Sequence, residues 1–113
     1  MSEFKSLRKN WEFQAVYRNG KSKANRCFVM IIKKNDTSSN RVGISVSKKV
    51  GNSIVRHRVT REVMRLHWGE IKSGYDIVIV ARPSAKDSDY GKFESAIFHL
   101  LNLHHLLKDD DLE

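Results

Sequence analysis

Between residues 47 and 65 the chain gathers Lys48, Lys49, Arg56, His57, Arg58, Arg61 and Arg65 against a single acid, Glu62. On a helix turning about 100° per residue, Val55, Val59, Val63 and Leu66 fall within about 80° of arc. Arg58, Arg61 and Arg65 fall within about 60°, centred roughly 140° from the apolar stripe. One stripe can therefore pack on a sheet while the other holds out three guanidiniums, whose forks grip phosphate oxygens in bidentate fashion. Lys48 and Lys49 precede the helix. Gly51-Asn52 allows a tight turn in which backbone N–H groups at a helix N-terminus also face anions. The chemistry on offer is the holding of a polyanion backbone. An ordinary solvated face is the alternative, but such faces mix signs and pair at i,i+4, and this one is almost single-signed.

Groups that could break a phosphodiester are not assembled in the same way. Asp87, Asp89 and Glu94 form no compact motif beside the basic run, and Asp109-Asp110-Asp111 reads as part of a flexible, solvated acidic tail over 108–113. His99 and His105 lack the i,i+4 partner a helical metal site needs, and His104 falls on the apolar side of its helix as a core histidine. No Gly-rich phosphate loop and no Gly-x-Ser-x-Gly elbow occurs. The sole cysteine, Cys27, rules out an internal disulfide and a cysteine-only metal site. It sits in an apolar run, as a buried inert thiol does, and fits a reducing cytoplasm. The residues therefore predict no catalytic group and no metal ligand in the protein itself.

A chain of 113 residues, 40% apolar, predicts one domain with a modest core. Its net charge of +8 is uneven: residues 1–65 hold 16 Lys+Arg against 4 Asp+Glu, and residues 66–113 hold 5 against 9. A basic half on a small domain is the footprint of a polyanion partner. No secretory signal or run of about 20 apolar residues is visible, so a cytoplasmic protein with no membrane partner is expected.

The elements that must carry these residues read as follows. Residues 10–18 form a short helix capped by Asn10, with Phe13, Val16 and Tyr17 on one side and Gly20 as its stop. Residues 27–33 are a strand, 35–40 a turn-rich loop, and 41–47 an alternating strand, the two strands pairing as an antiparallel hairpin. A helix capped by Asn52 or Ser53 runs to about residue 67. Residues 76–81 are a β-branched strand ended by Pro83, and a helix capped by Ser88 or Asp89 runs to about residue 107. A further strand hides around residues 21–26. The class is a small α/β sandwich, helices against a sheet. Generic statistics make its strand–helix–strand crossover right-handed.

Gly43-Ile44-Ser45-Val46-Ser47-Lys48-Lys49-Val50-Gly51-Asn52 followed by Arg56-His57-Arg58 resembles the strand, Lys-Lys-Val-Gly-Asn turn and Arg-Asn-Arg helix of the bacterial ribonuclease P protein family. Leu7, Trp11-Glu12-Phe13, Val16-Tyr17, Gly20 and Ala24-Asn25-Arg26 resemble that family's N-terminal region, and Asp76 through Pro83 its later strand. The resemblance spans almost the whole chain. It implies a four-stranded sheet with three helices in the order α-β-β-β-α-β-α, like a ribosomal small-subunit protein domain. It also implies a left-handed crossover in place of the generic right-handed one. It implies a protein subunit of ribonuclease P, which binds the catalytic RNA and the single-stranded 5′ leader of precursor tRNA and assists endonucleolytic removal of that leader. The chemistry then belongs to the RNA, with Mg²⁺ held mainly there, no organic cofactor and no obligatory protein partner.

Carried over residue by residue, Lys48, Lys49, Asn52, Arg56, His57, Arg58, Arg61 and Arg65 would face the catalytic RNA. Phe13, Tyr17, Arg26, Phe28 and Met30 would line the leader cleft between the first helix and the sheet. Two departures stand out. His57 replaces the Asn of Arg-Asn-Arg. After Arg61 the helix is about a turn short, which puts Glu62 where an apolar residue is expected and Met64 where an arginine is. The competing readings are a general RNA-binding or ribosome-associated module, a helix-based DNA binder and an autonomous metal nuclease.

Overall fold

A computed structural model describes residues 4–47, 50, 53–66, 68–87 and 90–108. Lys48, Lys49 and Asn52, together with residues 109–113 of the expected tail, lie outside them. The elements run β1 (Phe4–Ser6), α1 (Asn10–Asn19), β2 (Lys21–Ala24), β3 (Phe28–Lys34), β4 (Asn40–Ser45), α2 (Ser53–Met64), β5 (Tyr75–Ala81) and α3 (Tyr90–Leu103). Short 3₁₀ turns at Trp68–Glu70 and Pro83–Asp87 join the last three.

The five strands form one mixed sheet in the order β1-β4-β5-β3-β2. This corrects the expected count of four: β1, three residues long, adds a parallel edge against β4. The concealed strand is β2, antiparallel to β3 and exposed along its length. The expected hairpin between β3 and β4 does not form. β5 lies between them, antiparallel to β3 and parallel to β4. The physical reason is burial. Tyr-Asp-Ile-Val-Ile-Val-Ala is covered on both faces, and such a strand belongs at the centre of a sheet. The β4–α2–β5 segment is therefore a crossover between adjacent parallel strands.

Strand alternation sorts the core into two layers. Phe28, Met30 and Ile32 of β3, with Ile77 and Ile79 of β5, pack against Val55, Val59 and Val63 of α2 and Phe93, Ile97, Leu100 and Leu101 of α3. On the other face Ile31 and Val78 meet Leu7 and Val16, with Phe13, Val29 and Val80 around them. So α1 alone covers one face, and α2 with α3 covers the other. No helix among the described residues is long and apolar enough to cross a membrane.

Helix α1 is capped one residue before the expected Asn10, which is already helical. Lys9 is the N-cap, and Glu12 reaches back to accept the N–H groups of Arg8 (3.1 Å) and Lys9 (2.9 Å). This is half of a capping box. Helix α3 ends four residues earlier than its apolar pattern suggests. His105 takes φ 56° and turns the chain so that Leu106 is buried and Leu107 bridges Ile71.

Candidate nucleic-acid interface

Helix α2 turns Val55, Val59 and Val63 into the core, as its apolar stripe predicts. Glu62 is buried with them, at 3% exposure, in the place expected to be apolar. Its carboxylate lies 3.4 Å from the Arg65 guanidinium, which stays largely in water. Met64, where an arginine is expected, is exposed. Helix α2 therefore keeps its inward packing and presents Met64, an uncharged side chain, on its outer face.

The basic side chains divide into two groups. Arg58, Arg61 and Arg65 share one flank of α2, Arg61 and Arg65 exposed and Arg58 half-buried. Arg56 lies about 160° around the helix from Arg58 and lines a trough on the other flank. His57 is exposed beside it. Arg56 therefore projects from a different side of α2 than Arg58 and Arg61, because two residues of separation carry a side chain most of the way around a helix.

The trough has a volume of about 640 Å³. Phe13, Tyr17 and Asn10 of α1 form one wall, Ser45 and Val46 its far end, and Arg8 and Arg56 its cationic rim. A second hollow with Arg56, Thr60 and Met64 shares Ser6, Leu7 and Ile44 with it, so the depression runs from α1 across β1 and β4 to α2. Gly43 sets its depth. A Cβ there would stand 2.5 Å from Phe13 Cζ, so only glycine lets the ring lie down on β4. Phe13 and Tyr17 are 6.5 Å apart with tilted rings, and Tyr17 is exposed.

Three expected lining residues are elsewhere. Phe28 and Met30 are fully buried on the opposite face of the sheet, Phe28 edge-on to Phe93 at 5.4 Å. The run 28–32 is apolar on both sides, so alternation offered no sign of which parity faces α1; the α1-facing residues are Val29 and Ile31. Arg26 is exposed in the turn between β2 and β3, near the sheet end that carries Ser45, and does not line the trough. Conversely Ser6, Leu7, Arg8, Asn10 and Val46 were not foreseen as lining. Their one signal was a basic pair, Arg8-Lys9, beside the first helix.

A partly buried ionic network holds α1 against the sheet. Arg41 of β4 donates from Nε (2.7 Å) and Nη2 (2.6 Å) to the two oxygens of Asp76 on β5. Its Nη1 donates to Glu12 of α1 at 3.0 Å, and Asn35 Nδ2 donates to Asp76 at 3.0 Å. Burial pushes the Asp76 carboxyl up, but hydrogen bonds from Arg41 and Asn35 with the Arg41 charge outweigh it, and the group sits below the usual range. Glu12 is held down chiefly by the N–H groups of Lys9 and Arg8. Among the described residues no group of three or more His, Cys, Asp or Glu could hold a metal ion.

The trough, its rim and the arginine flank sit within a chain whose residues 1–104 match the family model described as Ribonuclease P. The chain belongs to the ribonuclease P protein family. A ribonuclease P protein component from Lachnoclostridium phytofermentans is 50% identical over 114 residues, covering 98% of this chain and 97% of that protein. One from Alkaliphilus metalliredigens is 47% identical, over 89% of this chain and 94% of that protein. The Staphylococcus aureus RNase P protein structure superposes with a TM-score of 0.82 at 34% identity, covering 90% of this chain and 96% of that one. The Thermotoga maritima RNase P protein superposes with a TM-score of 0.75 at 30% identity, over 86% and 94%. Membership makes the chain the protein component of a ribonucleoprotein, the tRNA-processing ribonuclease P.

Proposed function

We propose that this protein binds the ribonuclease P RNA through the Arg58, Arg61 and Arg65 flank of α2 and takes the 5′ leader of precursor tRNA into the trough between α1 and β4. The observation carrying this reading is the trough itself. It pairs an exposed tyrosine and a phenylalanine edge with two arginines, and among the described residues no carboxylate lines it. Aromatic faces stack unpaired bases without demanding a sequence, and guanidiniums hold the backbone between them. Lys48, Lys49 and Asn52, which precede α2 in the sequence, and His57 within it complete the RNA-facing set.

The reaction is hydrolysis of one phosphodiester, which frees the leader and leaves a mature tRNA 5′ end. Mg²⁺ held by RNA phosphates would supply the activated water and stabilise the leaving oxygen. In this reading the protein's part is binding. Its cations offset repulsion between two RNAs, and the trough tightens the hold on the leader.

Cleavage of a precursor tRNA at low Mg²⁺, with a bacterial ribonuclease P RNA and with or without the protein, tests the reading. Cleavage at the mature 5′ end only when both are present is expected. Tyr17→Ala should weaken binding of leader-bearing tRNA by about 1–3 kcal/mol, roughly 5- to 150-fold, and leave mature tRNA unaffected. Equal losses for precursor and mature tRNA would favour a general RNA-binding module, and cleavage by the protein alone would overturn the proposal.

A further inference from the structure

On the α3 face, at the sheet edge farthest from β1 and β4, lies a second hollow of about 500 Å³. Cross-strand register explains what lines it. Lys21 pairs with Ile32 and Lys23 with Met30, so both lysines point to the face those core residues occupy. Lys34, two residues beyond Ile32, shares that face. Side chains two apart on a strand, or diagonal across a pair, stand about 7–8 Å apart. The turn that ends α3 adds His104 and His105, and no carboxylate among the described residues lines the hollow. Lys21, Lys23 and Lys34 make no ion pair among the described residues, whereas Arg41, half-buried on the other face, is doubly paired.

Lysines on an edge strand commonly serve to keep other strands away. That accounts for Lys21 and Lys23 on β2. It does not account for Lys34 or the two histidines, which come from other elements and converge on the same concavity. Like charges gathered without counter-charge in a hollow raise the local potential and favour an anion there. His104 is oriented for this. Its Nε2–H donates to the Met30 carbonyl at 2.8 Å, which leaves Nδ1 as the ring's other polar atom. Burial first, then Lys23 and His105 nearby, hold its pKa below the ordinary histidine value, so His104 is uncharged at neutral pH.

We infer that this hollow is a second phosphate-binding site, separate from the α2 arginines and from the trough, and that it grips the backbone of an RNA. The inference rests on the RNA-binding role proposed above. Two cationic regions on opposite sheet edges let the protein touch two separated stretches of RNA at once.

The test uses the full chain carrying Lys21→Gln, Lys23→Gln and Lys34→Gln together, alongside an Arg58→Ala/Arg61→Ala variant. Binding to a bacterial ribonuclease P RNA and to precursor tRNA is measured across a salt titration, with circular dichroism confirming the fold. Each lost phosphate contact lowers the slope of log K against log salt by about 1. The triple-lysine variant should lose about 1 from that slope with at least one of the two RNAs, additively with the arginine variant. An unchanged slope for the lysine variant with a lowered one for the arginine variant overturns the RNA contact at the hollow and leaves the proposed function standing. Absence of RNA binding by the wild type overturns both. Inorganic phosphate is the second arm. Thermal stabilisation of the wild type but not the lysine variant, with both RNA slopes unchanged, assigns the hollow to free phosphate and overturns the RNA contact.

Discussion

Replacing Arg41 by Met removes the guanidinium that joins β4, β5 and α1. Asp76, only 3% exposed, would keep Asn35 Nδ2 as its remaining hydrogen-bond donor among the described residues. Leaving one partner of a buried pair uncompensated costs about 3–5 kcal/mol. The Arg41 side chain is 32% exposed, so water reaches part of the pair, and the lower end, about 3 kcal/mol, applies. With a urea m-value of about 1.5 kcal/mol/M the unfolding midpoint drops by about 2 M. The buried indole of Trp68 offers a fluorescence signal for that transition. The pH dependence has a definite sign. In the wild type the depressed carboxyls of Asp76 and Glu12 contribute stability that is present above the unfolded value near 4 and lost as pH falls through their folded values. In Arg41→Met, burial acts on Asp76 without the guanidinium, and its folded pKa moves above the unfolded one. The variant's deficit is then relieved as the carboxyl takes up a proton. The gap between the two proteins should be widest at pH 7 and narrow toward pH 4, and Asp76→Asn should cost far less in the Arg41→Met background than alone. A gap constant over that range, or two substitutions whose costs simply add, would refute the argument.

Two further outcomes follow from the packing. Gly43→Ala should push the Phe13 ring off β4; leader-dependent binding should weaken several-fold with little change in affinity for the ribonuclease P RNA, as measured by paired titrations with precursor and mature tRNA. Phe28→Ala should cost about 3–5 kcal/mol of stability in urea unfolding, and whatever RNA binding remains in the folded fraction should discriminate leader from no leader as the wild type does.

What the residues announced and what they concealed divide along one physical line. Helix α2 was readable because its apolar and basic stripes differ in character, so Val55, Val59 and Val63 could be placed inward and Arg61 and Arg65 outward. The burial of Glu62 was visible only against the family's pattern; its charge alone argues for the surface. The sheet was harder. The pairing of β4 with β5 joins residues about 35 apart, and no local signal distinguishes it from a β3–β4 hairpin. β1 and β2 are short and mostly polar, with nothing in their composition that marks a strand. Phe28 and Met30 were misplaced because a strand covered on both sides has no polar parity to read. The trough's rim escaped notice because Ser6, Arg8 and Ser45 come together only when β1 closes on β4.

The two layers of the core are unequal, and this bears on how the molecule breathes. Among the described residues the α1 layer is anchored by Leu7, Val16, Ile31 and Val78, whereas the α2–α3 layer is built from a far larger set. The β1–α1 segment is therefore the natural unit of partial opening, able to lift away while the rest stays folded. One wall of the trough leaves with it. Affinity for a ligand of the trough is then scaled by the fraction of molecules in which that segment is seated. A bound leader would in turn hold the segment down. The Arg41–Asp76–Glu12 network, which spans that seam, thereby sets how often an empty trough exists at all.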